Sequence, residues 1–196
     1  MQIAKTNAFF ISDTHFWHNN VIKFDNRPFQ SIEEMNEELI LNWNSVVDND
    51  SVVYFLGDFA FAGITKITEI LNKLNGTIHV ISGNHDNYKI LTKTKRFASI
   101  DSYCEIYIPD KDAYEGMQMI CMSHYPMVVW NKHHRGSWML HGHCHQSLIN
   151  TEIGKLLYIR KIYDVGVNGI GYTPQSYNQI KTIMSDRIIV KVDHHE

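Results

Sequence analysis

Three apolar runs each end in a polar corner, and this pattern restricts the architecture of the chain more than any other feature in it. AFFIS at 8–12 leads into Asp13 and His15, VVYFL at 52–56 into Gly57 and Asp58, and TIHVI at 77–81 into SGNHD. Short apolar runs bounded by such residues read as buried strands. Between the first two, SIEEMNEELILNWNSVV reads as a helix, with Ser31 as N-cap and Glu34 completing a capping box. Its Ile32, Met35, Leu39, Trp43 and Val46 fall at helical spacing. Ile64, Ile67, Ile70, Leu71 and Leu74 mark a second helix, closed by Gly76. Strand alternating with helix predicts an α/β layered fold with parallel strands. Such sheets deliver adjacent strand ends to one edge and build their sites there.

Beyond about Ser99 the character changes. YCEIYIP, MQMICMS, WML, LLYIRKIYDVGV and RIIVKV read as strands with little helix between them. Thr173 and Pro174 then fit the N-cap and first position of a last helix carrying Tyr177, Ile180 and Ile183. The expectation is one domain over 1–196 with two sheets. The corner pattern recurs here: ICMS leads into His124, and WML into His143 and His145. Aspartate, asparagine and histidine together are the ligands a borderline divalent metal prefers.

The formal charge of -3 shows no basic face for extended nucleic acid, so an anionic substrate must be drawn in locally. Three cysteines, Cys104, Cys121 and Cys144, are odd in number and lack CxxC pairing, which fits a reducing compartment. The first residues lack a secretory pattern, and no apolar stretch approaches the ~20 residues that span a bilayer. A cytoplasmic protein without a membrane partner is expected.

The ordered set Asp13-Thr14-His15, Gly57-Asp58, Gly83-Asn84-His85-Asp86, His124 and Gly142-His143-Cys144-His145 resembles the calcineurin-like metallophosphoesterases. FDNRPF around Arg27 and YDVGVN around Asp164 are similar to small bacterial and phage members. The resemblance implies a four-layer αββα sandwich of two mixed sheets, with two divalent metals at the sheet edge. It implies that Asp13, His15, Asp58 and His145 hold one metal. Asp58, Asn84, His124 and His143 would hold the other, with Asp58 bridging. The metals could be Mn, Fe, Zn, Co or Ni. Such a pair shares a hydroxide nucleophile and clamps phosphoryl oxygens. Positive charge from the cations would then supply the attraction that the acidic chain lacks.

By the same resemblance His85 is not a ligand but faces the leaving oxygen as acid or charge stabiliser, with Asp86 orienting its ring. Cys144, between two implied ligands, points away from them if the segment is extended. His18 either reaches the site mouth or is a solvated loop residue. Arg27 either clamps a phosphate oxygen or pairs with the acidic helix that follows. His133, His134 and Arg135 are either a substrate-facing loop or a solvated basic run. Asp164 is a candidate partner for a ligand histidine, and His194 and His195 carry no assignment. GDFAFAG lacks the arginine of the protein-phosphatase pattern G-D-x-V-D-R-G. The expected activity is therefore hydrolysis of a small phosphodiester or nucleotide. Alternatives are a phosphomonoesterase or nuclease of the superfamily, or a non-catalytic scaffold that binds protein partners.

Overall fold

The apolar runs form strands, and their alternating side chains sort into separate layers. The structure, a computed structural model, describes residues 2–190. In chain order the elements are β1 (Gln2–Ile3), β2 (Ala8–Ile11), α1 (Asn19–Phe24), α2 (Ile32–Val46), β3 (Val52–Phe55), α3 (Ile64–Leu71), β4 (Thr77–Ile81) and α4 (Tyr88–Thr94). There follow β5 (Phe97–Asp101), β6 (Tyr103–Pro109), β7 (Met117–Ser123), β8 (Trp138–His141), α5 (Glu152–Tyr158), β9 (Ile162–Asp164), β10 (Gln175–Ser176) and α6 (Tyr177–Ser185).

One sheet has the order β10-β2-β3-β4-β5 and the other β1-β6-β7-β8-β9. In the first, β2 to β5 run parallel and only β10 is antiparallel. In the second, β7, β8 and β9 run parallel, while β6 is antiparallel to β7. Phe9 and Ile11 of β2, with Val53 and Phe55 of β3, pack on Met35, Leu39 and Trp43 of α2 and Ile67 and Ile70 of α3. Phe10, Tyr54 and Leu56 point the other way, against Ile106, Ile120, Met122 and Leu140 of the second sheet. Met119, Cys121 and Met139 leave that sheet on its far side, toward Leu157 of α5. The layers are thus helix, sheet, sheet and helix, the αββα sandwich of two mixed sheets that was expected.

The sheets meet at the carboxyl end of β2. The Ser12 N–H donates to Val165 O at 3.0 Å, and the Val167 N–H donates to Ser12 O at 3.1 Å. That seam puts the ends of β2, β3, β4, β7 and β8 on one edge.

Several local expectations change. LLY within LLYIRKIYDVGV belongs to α5, because the Thr151 side chain accepts the Gly154 N–H and caps a helix there. Only Ile162–Asp164 of that run is strand. The last helix opens at Tyr177, not at Pro174, with a capping box between Ser176 and Gln179. The Glu34 carboxylate accepts from the Gln30 N–H instead of closing a box on Ser31. In RIIVKV, residues 187–190 form only the single bridge Arg160–Ile188, and 191–192 lie outside the described residues. His194 and His195 also lie outside them. No helix among the described residues is long and apolar enough to cross a membrane.

Asp110, just past β6, ties the second sheet to α6. Its carboxylate accepts from the Tyr177 hydroxyl and from Lys181 Nζ at 2.7 Å. Burial raises the cost of ionising Asp110, but the Lys181 and Tyr177 contacts outweigh it and hold the carboxyl below its ordinary value. The folded value lies under the unfolded one, so this contribution is present above the normal carboxylate range and is lost as pH falls through the folded value. Asp110→Asn is expected to cost ~1–3 kcal/mol in urea unfolding at pH 7. The gap to the parent should narrow on acidification below the carboxylate range.

Candidate metal centre

Three of the five corners carry their functional side chains on a sharply bent backbone. Asp13 (φ 58), His15 (φ 49), Asp58 (φ 59), His143 (φ 69) and His145 (φ 45) all occupy the left-handed region. Non-glycine residues enter that region rarely, at ~1–3 kcal/mol each, and hold it where the surroundings enforce it. The bends bring two groups together. Asp13, His15 and His145 form one, and Asp58, His124 and His143 the other, each with its ligand atoms within 4.8 Å of one another.

Asp58 lies between the groups. Its Oδ2 is 3.4 Å from His124 Nε2 and 3.7 Å from His15 Nε2. In the first group His145 Nε2 is 3.5 Å from Asp13 Oδ1 and 3.2 Å from His15 Nε2. In the second, Asn84 Oδ1 is 3.0 Å from both His124 Nε2 and His143 Nδ1. Asp13 and Asp58 are buried, whereas Asn84, His85 and His143 are exposed, so the centre has a closed floor and an open face.

The donor set fits divalent cations. His124 Nδ1 lies 2.8 Å from Leu56 O, which can only accept, so Nδ1 carries the proton. The neutral ring then turns the Nε2 lone pair toward the oxygens of Asn84 and Asp58. Electron-rich atoms converge there, and a cation satisfies them. The same carboxylates draw protons onto the rings that face them. Burial disfavours charge on His145, yet its bonds to Asp13 and Asp25 hold the ring up at about 10. Burial also opposes charge on His124, but Asp58 and then Asp13 raise it. Burial pushes His15 down to about 4 against the pull of both aspartates, leaving a neutral ring with a lone pair to give. Burial works against ionisation of Asp58 too, and His124 and the His85 N–H outweigh it, holding the carboxyl at about 2.

A sequence model of the calcineurin-like phosphoesterases matches residues 7–196. The chain belongs to that family. It is similar to an uncharacterised protein of Methanocaldococcus jannaschii, 36% identical over 191 residues covering 96% of this chain and 97% of the relative. The gene 66 protein of Mycobacterium phage L5 is 24% identical over 188 residues, 85% of this chain and 88% of its own. Among solved structures, the Aquifex aeolicus protein of unknown function AQ665 superposes with a TM-score of 0.67 at 26% identity, covering 90% of this chain and 98% of that one.

Around this centre, three charged residues, Arg27, Asp86 and Asp164, brace backbone. Arg27 has a side chain with 0% exposure. It donates to Asp13 O and Thr14 O, both at 2.9 Å, and pairs with Asp25 at 3.0 Å. Neither a phosphate clamp nor a bridge to the acidic helix is correct for it, because its donors are spent beneath the Asp13 corner. Asp86 accepts the N–H groups of Asp58, Phe59 and Gly83, each at 2.9 Å. The expectation that it orients the His85 ring gives way to this backbone role. Asp164 likewise accepts from the Gly166 and Gln146 N–H groups instead of a histidine ring, and burial lifts its carboxyl to about 7.

His133, His134 and Arg135 lie at the opposite end of the second sheet from the candidate centre. The adjoining Gly136 carbonyl accepts from Gln118 at the amino end of β7. His124 follows the carboxyl end, a strand length away, or roughly 20 Å at ~3.3 Å per residue. His133 is buried, with Nδ1 3.0 Å from Trp130 O, and Arg135 stacks on Tyr114. His18 does reach the mouth, its ring 5.5 Å from His15. Burial pushes the Cys144 thiol up to about 11, so it stays a thiol, and it joins neither ligand group. His141, the first histidine of HGHCHQ, is buried against Gly142 O and the Tyr158 hydroxyl.

Sequence reasoning missed Asp25, whose Oδ2 accepts from the His145 Nδ1–H at 2.7 Å and so aims Nε2 at the centre. Carboxylates commonly fix ligand histidines this way. Its only signal was its place in FDNRPF. Tyr125, with its ring 4.4 Å from that of His143, was also passed over.

Two glycines make room for the carboxylates. A Cβ on Gly83 would lie 2.2 Å from Asp58 Oδ1, and one on Gly142 would lie 2.5 Å from Asp13 Oδ2. Gly83→Ala and Gly142→Ala are therefore expected to lose bound metal, measured by elemental analysis, while far-ultraviolet circular dichroism stays at the parental level.

Proposed function

We propose that this phosphoesterase hydrolyses a small phosphodiester or nucleotide. Asp13, His15, Asp58 and His145 hold one divalent cation, and Asp58, Asn84, His124 and His143 hold the other. The observation that carries this reading is Asp58 Oδ2, within 3.7 Å of a ring nitrogen from each group. Manganese, iron, zinc, cobalt and nickel all suit such a mixed nitrogen and oxygen set. When bound, the cations supply Lewis acidity and lower the pKa of water.

The chain's own residues do the rest. Hydrolysis breaks the bond from phosphorus to the departing oxygen and joins phosphorus to the oxygen of water. A proton must then reach the departing alcohol. His85 is exposed on the open face, its ring 5.6 Å from His15 and outside both ligand groups, which suits it to deliver that proton. Its backbone N–H donates to Asp58 Oδ1 at 2.9 Å and anchors the residue to the centre.

A diester is favoured over a monoester because of where the cationic side chains lie. A monoester brings a second negative charge that arginine commonly matches bidentately. Arg27, the arginine nearest in sequence to the first corner, is fully occupied below it. The open face presents histidines instead, which suits a singly charged ester. The non-catalytic alternative is disfavoured by the intact ligand set.

On manganese-reconstituted protein, an aryl phosphodiester and 2′,3′-cyclic nucleotides are expected to turn over faster than an aryl monoester; monoester preference would reverse the ranking. His85→Ala should keep its metal and lose ~10²–10⁴-fold in kcat. Metal loss matching that of His143→Ala would remove His85 from this role.

A further inference from the structure

Residues 60–62 leave β3 and carry an aromatic ring past the phosphoesterase centre. Phe61 is 58% exposed and stands beside the histidines of the open face. Its ring centroid lies 4.8 Å from that of His18 and 6.4 Å from that of His85, the latter edge-on at 72°. Against it lies a cavity of about 300 Å³. The floor is apolar: Ile67 of α3 and Leu91 of α4 line it and are almost wholly buried. Ala60 and Ala62 widen the space where larger residues would fill it.

The polar lining is His85, Asn87 and Asp86, whose carboxylate is already occupied by the Asp58, Phe59 and Gly83 N–H groups. Asn87 Oδ1 accepts the Ile90 N–H and caps α4, which leaves its amide N–H groups available to donate. The volume is at the small end for ligand sites, enough for one ring system. A flat aromatic group gains from apolar burial and from edge contacts with Phe61 and His85. A sugar alone or an aliphatic polyol would bury hydroxyls against Ile67 and Leu91 without partners, at a cost.

We propose that this cavity seats an aromatic ring carried by the departing alcohol of the substrate, an aryl or nucleoside group, with Phe61 as the residue that selects it. The inference rests on the hydrolase reading, because His85 both lines the cavity and faces the phosphoryl position in that reading. The phosphorus bond to the ring-bearing oxygen breaks, water oxygen replaces it, and the ring leaves through the cavity with its new hydroxyl proton.

Phosphonates test this without turnover, since their P–C bond resists hydrolysis. Dissociation constants for phenylphosphonate and methylphosphonate are measured by calorimetry on manganese-loaded protein. Phenylphosphonate is expected to bind roughly 10-fold more tightly. Phe61→Ala, and Ala62→Trp as a variant that fills the space without opening the core, should bring the ratio toward one with metal content unchanged. Saturation transfer from the Ile67 and Leu91 methyl groups to the phenyl protons should vanish in Ala62→Trp. A ratio near one in the parent, or one unmoved by either variant, overturns the cavity assignment and leaves the hydrolase reading standing. Failure of both phosphonates to bind overturns the two together.

Discussion

Two carboxylates sit where two sheets join, and the rest of the centre follows from the need to satisfy them. Asp13 and Asp58 are 0% and 2% exposed. An ionised carboxylate out of water costs several kcal/mol unless hydrogen bonds or cations compensate. The compensation comes from other corners of the chain. The His143 N–H donates to both Asp13 oxygens, and the His85 N–H donates to Asp58. Each buried charge thereby pins the loop of a different strand, and the histidines those loops carry arrive as a consequence.

Pinning also explains the bent backbone. Left-handed conformations at five positions of the candidate centre are tolerable only if something outside the corners holds them. Arg27 holds the first corner through the Asp13 and Thr14 carbonyls, Asp86 the second through two N–H groups, and Asp164 the last through Gln146. The opposite signs of these braces match what each grips: a guanidinium takes carbonyls and carboxylates take N–H groups. Asp25 links this framework to the chemistry, since one carboxylate pairs with Arg27 and also aims His145.

Much of this was legible in the sequence. The ends of β2, β3 and β4 stood out because apolar runs stop there at aspartate or at Gly-Asn-His, and the structure brings their polar residues to one edge. The braces were not distinguishable from catalytic groups. Arg27, Asp86 and Asp164 have the same residue types as substrate clamps and acid–base partners, and only burial and hydrogen-bond direction separate the two uses. NKHHR misled for a different reason. It follows His124 closely, but a parallel β7–β8 crossover returns the chain to the opposite edge before β8 begins. α5 was hidden because Leu156 and Ile159 are exposed apolar residues, which blurs helical periodicity into a strand-like run.

The seam has a kinetic consequence. Asp13 and His143 are 130 residues apart, and their hydrogen bonds cannot form until the second sheet has docked on the first. Contacts of such long range close slowly, because the intervening chain must be ordered first. A cation that needs ligands from both sheets therefore binds only near the end of folding, as a latch and not as a nucleus. Such a cation would deepen the native basin by mass action while leaving the early steps of folding untouched.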